Sequence, residues 1–242
     1  MTASTGRWFA TQTALHVFDR TTRTVRTRFA PRTQIDAVAY DPLRRHVYYA
    51  DNSHIFCSSE DGDLLWSGSC RNYLVQPHLR VLRNGILIAT SGPVNPSITA
   101  WKPLGDAAWR VDLGAPVLCL FVPPSEHDDD FAIITMGLGS SEPSRLLTYR
   151  GGHETHRADL PADVAMAFDH GDFLTVHRAT SSGTTVAAVD PQTTTLHDLC
   201  TLPGRTLGEA VLPNHQLALL ERAGRITRLH LFDARGPANR EN

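Results

Sequence analysis

Three carboxylates in this sequence of 242 residues stand directly before pairs of small apolar residues. Asp36 precedes Ala-Val, Asp163 precedes Val-Ala and Glu209 precedes Ala-Val. Carboxylate oxygens are the ligands that hard cations such as Ca²⁺ prefer. If the fold brings the three positions together, with Gln76 or His78 as a neutral ligand, they form a candidate calcium site. The alternative interpretation is that they are polar residues at a wet surface, where they need no ligand.

Two further clusters contain metal-binding residue types at unsuitable spacings. Residues 126–130 read Glu-His-Asp-Asp-Asp, which lacks the spacing of an EF-hand loop. His153 and His156 are three residues apart, and on a strand such residues point to opposite faces. We therefore predict solvated surface segments at both places.

The N-terminal part of the sequence is rich in arginine. In the segment Thr24-Val-Arg-Thr-Arg-Phe29, arginines alternate with other residues, which is typical of a strand with one face toward solvent. Arginines on such a strand can contact phosphates or an acidic protein through bidentate hydrogen bonds, although an ordinary solvated outer strand gives the same pattern. The predicted partner-binding arginines are Arg20, Arg23, Arg26 and Arg28.

The remaining composition favours a non-catalytic intracellular protein. There is no glycine-rich phosphate loop and no G-x-S-x-G motif. The four cysteines are widely spaced, so we expect reduced thiols in the cytoplasm or nucleus rather than a disulfide framework or a metal knuckle. The net charge of -2 argues against a nucleic acid as partner. The sequence has no apolar stretch long enough to span a bilayer, so we do not expect a membrane as partner. No cofactor is expected, with calcium as the alternative.

The elements that would position these residues follow from a sixfold repeat. A short apolar strand, a tight polar turn and a second strand recur, and we take residues 18, 57, 101, 149, 189 and 232 as register marks. The marks are 39, 44, 48, 40 and 43 residues apart, which is the period of a four-stranded propeller blade. The sequence therefore predicts an all-β, six-bladed β-propeller.

The predicted blades make up a single domain over residues 1–242. Turn chemistry supports antiparallel strands, since Asp41-Pro42 favours a type I turn and Asn84-Gly85 favours a hairpin. The first and last blades each have three convincing strands, so both are predicted to be incomplete. Residues 1–6 or a strand donated by a partner would complete the last blade. The blade boundaries are approximately 7–31, 32–70, 71–113, 114–160, 161–203 and 204–236.

The repeat resembles those of WD40 and PQQ-type propellers over essentially the whole chain. Phe18-Asp19 and Phe232-Asp233 stand where WD40 repeats place Trp-Asp, while Gly62-Asp-Leu-Leu-Trp66 is similar to PQQ-type blades. No Trp-Asp dipeptide occurs. The resemblance thus concerns architecture, which by itself does not determine function.

Two resemblances imply more specific functions. Phe232, Asp233 and Arg235 resemble the Asp-x-Arg box by which some WD40 substrate receptors dock on the adaptor of cullin-4 ubiquitin ligases. In blade number the chain resembles six-bladed calcium-dependent lactonases and esterases, which implies a hydrolase site at the channel mouth. We favour a third hypothesis, a non-catalytic scaffold or adaptor that binds proteins within a larger complex.

Overall fold

The computed structural model describes residues 6–19, 21–69, 78–123, 125–138, 142–170, 174–181, 183–190, 195–212 and 216–233. These residues form 22 strands in six antiparallel sheets and contain no helix. Accordingly, the described segments include no helix of the length and apolarity needed to cross a membrane. The fold is a six-bladed β-propeller with incomplete first and last blades, which confirms the prediction from the repeat.

The chain divides into two compact units. The first comprises Met1–Leu120, Glu126–Asp130 and Arg150–His153. The second comprises Phe121–Ser125, Phe131–Tyr149 and Glu154–Asn242.

The first unit contains the first three sheets, in which each strand pairs with its sequence neighbours. The first sheet consists of β1 (Gly6–Ala10), β2 (Leu15–Asp19) and β3 (Thr24–Phe29). The second consists of β4 (Ala37–Asp41), β5 (His46–Ala50), β6 (His54–Ser59) and β7 (Leu64–Ser69). The third consists of β8 (Leu79–Val81), β9 (Leu87–Thr90), β10 (Ser97–Trp101) and β11 (Ala107–Asp112).

The last three sheets have the same sequential order. The fourth consists of β12 (Val117–Phe121), β13 (Asp130–Thr135), β14 (Ser144–Arg150) and β15 (His153–Leu160). The fifth consists of β16 (Val164–Asp169), β17 (Leu174–Thr180), β18 (Gly183–Val189) and β19 (Leu196–Leu202). The sixth consists of β20 (Arg205–Leu212), β21 (Gln216–Ala223) and β22 (Ile226–Asp233).

Local turn chemistry explains where the hairpins reverse. Asp41 Oδ1 accepts hydrogen bonds from the backbone N–H groups of Leu43 and Arg44, which closes the β4–β5 turn. Gly85 has φ of 86°, a conformation that side chains disfavour, in the turn before β9. These two turns are the ones that the Asp-Pro and Asn-Gly pairs predict.

Apolar side chains between neighbouring sheets form the core. In the first unit, Tyr48, Ile55 and Leu87 lie in a buried cluster to which the second and third sheets contribute. In the second unit, Val186 and Leu202 of the fifth sheet pack with Leu217 of the sixth. The sheets are thus stacked face to face within each unit, as in propeller blades.

The register marks show which strand positions the incomplete sheets contain. In every four-stranded sheet the mark lies on the third strand, namely on β6, β10, β14 or β18. In the first sheet the mark lies on β2, the second of three strands, and in the sixth it lies on β22, the third. Within the described residues, the first sheet therefore lacks the first strand position and the sixth sheet lacks the fourth.

Candidate functional site

The three predicted metal ligands have different surroundings. Asp36, just before β4 in the first unit, accepts a hydrogen bond of 2.8 Å from Gln34 Nε2. Asp163, just before β16 in the second unit, lies 3.4 Å from Arg178 Nε. Glu209 lies inside β20 and not at its start, because that strand begins at residue 205. Among the described residues, no group of three or more His, Cys, Asp or Glu side chains is arranged to hold a metal ion.

Glu209 is the centre of a buried polar cluster in the second unit. Its side chain has no exposed area, and both carboxylate oxygens accept hydrogen bonds. Oε1 is 2.5 Å from His170 Nε2 and also accepts from the hydroxyl of Thr175, while Oε2 is 2.7 Å from His177 Nε2. Two donors on β17 and one directly after β16, all from the fifth blade, thus hold a carboxylate of the sixth sheet.

Hydrogen bonding keeps this carboxylate ionised. Burial alone raises the pKa of Glu209, but the hydrogen bonds from His170, His177 and Thr175 outweigh it and lower the pKa to about 2. An ionised carboxylate only accepts hydrogen bonds, so each imidazole must carry its proton on Nε2. In His177, whose side chain is 1% exposed, the other ring nitrogen Nδ1 has no hydrogen-bond partner among the described residues.

A second buried carboxylate lies nearer the outer edge of the sixth sheet. Glu221 on β21 is fully buried, and its Oε2 is 2.7 Å from Nε2 of His230 on β22. The opposite oxygen, Oε1, has no hydrogen-bond partner within the described part of the chain. The hydrogen bond between His230 and Glu221 therefore joins β22 to β21 on the face of the sheet opposite the exposed leucines.

The predicted arginine surface is exposed where it is described. Arg23 lies in the β2–β3 turn with φ of 55°, and Arg26 and Arg28 lie on β3, whose first five residues are all exposed. Both strand arginines have acidic neighbours within the first unit. Backbone N–H groups of Thr22 and Thr21 lower the pKa of Asp19, and the charge of Arg26 adds a smaller effect. Burial raises the pKa of Glu60, but hydrogen bonds from Arg45 and Tyr40 outweigh it, and the charge of Arg28 adds a smaller effect. Arg20 lies outside the described residues.

The residues of the Asp-x-Arg resemblance are only partly described. Phe232 is half-buried and packs against the core cluster of the fifth and sixth sheets. Asp233 ends β22, and Arg235 lies outside the described residues, as does Gln76. The ring of Phe232 therefore contributes to packing between sheets.

The two clusters with unsuitable metal spacing are at the surface. Glu126, His127 and Asp128 are exposed, and Asp130 accepts two hydrogen bonds from Arg150, at 2.8 and 3.2 Å. His153 and His156 are both exposed on β15.

The polar partners of Glu209 are the residues that sequence reasoning missed. His177 and Thr175 belong to an apolar run that predicts a buried strand, and a histidine in such a run is the signal that points to a buried polar contact. His170 follows β16 in a segment that the sequence marks only as a turn.

Comparisons with known proteins agree with the architecture. No protein-family model and no curated protein matches the sequence. A solved structure of Kuenenia stuttgartiensis hydrazine synthase is 10% identical, with a TM-score of 0.70 over 90% of this chain and 74% of that chain. The WD40 domain of Neurospora crassa Pan2 is 11% identical, with a TM-score of 0.65 over 94% and 72%.

A third similar structure is the propeller domain of the Trilobed protease from Pyrococcus furiosus, described as having an open velcro topology. It is 12% identical, with a TM-score of 0.59 over 94% of this chain and 75% of that chain. At such identities the likeness shows the fold alone. The resemblance to WD40-type propellers that the repeat predicts is thus confirmed as a resemblance of architecture.

Proposed function

We propose that this chain is a non-catalytic propeller scaffold, and that it binds an extended segment of a partner protein along β22. One observation carries the proposal: β22 occupies the third position of its sheet, yet its outer edge and one of its faces are uncovered in the described residues. We call the exposed side chains of Leu220, Leu229 and Leu231 the leucine face.

The contrast with the complete sheets shows how unusual this exposure is. In the fifth sheet the third strand, β18, is mostly buried and pairs with β19 as its fourth strand. In the sixth sheet, β22 pairs with β21, and no fourth strand occurs among the described residues. Leu229 is 66% exposed and Leu231 is 56% exposed.

The leucine face is continuous across two strands. Leu220 on β21 is directly opposite Leu229 on β22, and Leu231 follows two residues later on the same face. The opposite face of β22 carries His230 and Phe232, which contact Glu221 and the core. The leucines are therefore the side of this strand that the second unit does not use for its own packing.

A strand edge next to apolar side chains favours an extended peptide as the binding partner. Unpaired backbone N–H and C=O groups accept an added strand, and side-chain contacts on the sheet face supply selectivity. The nearby arginines Arg225 and Arg228 are exposed, and no salt bridge joins them to another described residue. Charge complementarity thus favours a partner segment in which acidic residues alternate with apolar ones.

The arginines of β3 are a second candidate surface, as the sequence predicts. Arg26 and Arg28 are exposed, and exposed ion pairs contribute little binding energy, so a partner gains less there than by burying apolar side chains at β22. We therefore rank the leucine face above the arginine surface as the principal contact.

Affinity purification with matched variants tests the proposal. The double variant Leu229→Asp/Leu231→Asp places charge on the leucine face, whereas Leu43→Asp/Leu104→Asp changes two turn leucines that are 79% and 85% exposed. We expect proteins that co-purify with the wild type to be retained by the control pair and lost with the β22 pair, at equal thermal stability. Retention by both pairs contradicts binding at β22, and loss only with Arg26→Glu/Arg28→Glu assigns the contact to β3.

The two functions implied by resemblance stay predictions. The calcium-dependent hydrolase requires Asp36, Asp163 and Glu209 to bind a cation, so millimolar calcium must raise the melting temperature if it is correct. The cullin-4 receptor requires Arg235, so Arg235→Ala must abolish co-purification with the ligase adaptor.

A further inference from the structure

Among the described residues, β22 lacks the outer neighbour that strands in the same position of other sheets have. In the first, second, third and fifth sheets, the strand in fourth position is β3, β7, β11 or β19. Each of these strands pairs antiparallel with the strand before it. A segment that fills the fourth position beside β22 in the same way therefore runs antiparallel to β22.

The two faces of β22 differ in chemical character. Leu229 and Leu231 are on the leucine face, whereas Arg228 is on the opposite face, directly across from Glu221 of β21. Arg228 is exposed, and Oε2 of Glu221 is already held by His230. Successive residues of an added strand therefore meet a leucine and an arginine in turn.

The direction of the added strand converts these positions into an order of residue types. In an antiparallel pair, the residue opposite Arg228 directly follows the residue opposite Leu229 in the partner sequence. Covering Leu229 requires an apolar side chain, and the charge of Arg228 favours an acidic one. An antiparallel segment thus has the order apolar–acidic at these two positions, whereas a parallel segment has the order acidic–apolar.

The fourth strands of the complete sheets indicate two further properties of the segment. In each of the four pairings the register shifts once, and the outer strand contains the extra residue, namely Arg28, Leu65, Ala108 or Leu199. In the first unit, each outer strand also places an aromatic ring against a glycine of the next sheet. These contacts are Phe29 with Gly62, Trp66 with Gly105 and Trp109 with Gly152. An aromatic residue is therefore favoured at the apolar position.

On the basis of the function proposed above, we propose that β22 binds an antiparallel segment with an aromatic residue opposite Leu229 and an acidic residue directly after it, beside Arg228. A further apolar residue, two or three positions before the aromatic one, covers Leu231. The longer spacing applies where the segment contains the extra residue of a fourth strand. The partner is thus recognised by a short motif that has a direction.

Two capped peptides of identical composition test this direction. The forward peptide is Ser-Leu-Leu-Thr-Trp-Glu-Ser, which has leucine at both spacings, and the reversed peptide is Ser-Glu-Trp-Thr-Leu-Leu-Ser. With the ¹⁵N-labelled full chain we expect the forward peptide, at millimolar concentration, to shift the amide resonances of β22. It should bind at least about threefold more tightly than the reversed peptide. Equal affinities, or no shift in β22 with the forward peptide, overturn the proposal.

A charge exchange tests the contact with Arg228. In Arg228→Glu the forward peptide should bind up to about fivefold more weakly, and a forward peptide with lysine in place of glutamate should recover the loss. The control Arg225→Glu makes the same change of charge at an exposed turn residue and should keep the preference for glutamate. A preference for glutamate that persists in Arg228→Glu contradicts the proposed pairing.

The variant Leu229→Asp/Leu231→Asp separates the motif from the function on which it rests. If this variant loses the co-purifying proteins while neither peptide binds the wild type, the motif is wrong and β22 is still the binding strand. If the forward peptide binds this variant as tightly as the wild type, it does not contact the leucine face and the motif is overturned.

Discussion

Replacing Glu209 by glutamine should change how the stability of the protein depends on pH. In the folded chain the pKa of Glu209 is lowered from 4.5 to about 2. Its carboxylate therefore stabilises the folded state above the unfolded pKa of 4.5, and this stabilisation is lost as the pH falls toward 2. At 1.36 kcal/mol per pKa unit, the contribution at neutral pH is about 3 kcal/mol.

Urea unfolding followed by tryptophan fluorescence measures this contribution. Between about pH 7 and pH 3, the free energy of unfolding of the wild type should fall by about 2 kcal/mol more than that of Glu209→Gln. At neutral pH, Glu209→Gln should itself be destabilised, because a buried amide cannot accept all three hydrogen bonds. The control Glu126→Gln changes an exposed carboxylate and should keep the wild-type dependence on pH.

Two results would refute the reasoning about this cluster. Parallel curves for the wild type and Glu209→Gln would mean that the three donors do not hold the carboxylate in solution. A wild type that gains stability relative to the variant as the pH falls would mean that burial outweighs the hydrogen bonds and that the pKa of Glu209 is raised.

Three further predictions concern the first unit. Gly68→Ala should lower the free energy of unfolding by about 1–3 kcal/mol, because the added Cβ would lie 2.5 Å from the ring of Trp101. The control Gly114→Ala adds a Cβ that meets nothing within 4 Å. Equal urea midpoints for the two variants would contradict this prediction. Burial raises the pKa of Tyr40, so this phenol should stay protonated below about pH 11. Tyr40→Phe should therefore not change the pH dependence of the absorbance at 295 nm, which measures tyrosine ionisation, in that range. Burial also raises the pKa of Cys57 to about 12, so Cys57→Ser should not reduce the number of thiols that react rapidly with Ellman's reagent.

The fold could be predicted from the sequence because its determinants are local. The Asp41-Pro42 and Asn84-Gly85 pairs specify turns through their own backbone preferences, and the apolar runs between such turns specify strands. The period of the register marks then selects a propeller among all-β folds. Even the two incomplete sheets follow from counting strands, since each strand is recognisable by itself.

The candidate site could not be predicted in the same way, because its contacts depend on strand register. The pairing of β20 with β21 shifts between Thr206 and Gly208, and this irregularity decides which face Glu209 occupies, opposite Leu219. No residue type in the sequence indicates where this register shift occurs. The hydrogen bond between Glu209 and His177 joins residues 32 positions apart on different sheets, so it depends on how two blades pack.

The stability of the sixth sheet connects the Glu209 cluster with the proposed partner-binding strand β22. This sheet has three strands, of which β20 carries Glu209 and β22 carries the leucine face, and β21 joins them by backbone pairing. A segment bound along β22 stabilises the folded sheet by mass action, and the gain grows with partner concentration. Local opening of this sheet removes the acceptor of His177, so a partner at β22 should slow amide exchange in β20 as well as in β22. Protection confined to β22 would show that the outer edge opens without disturbing the Glu209 cluster.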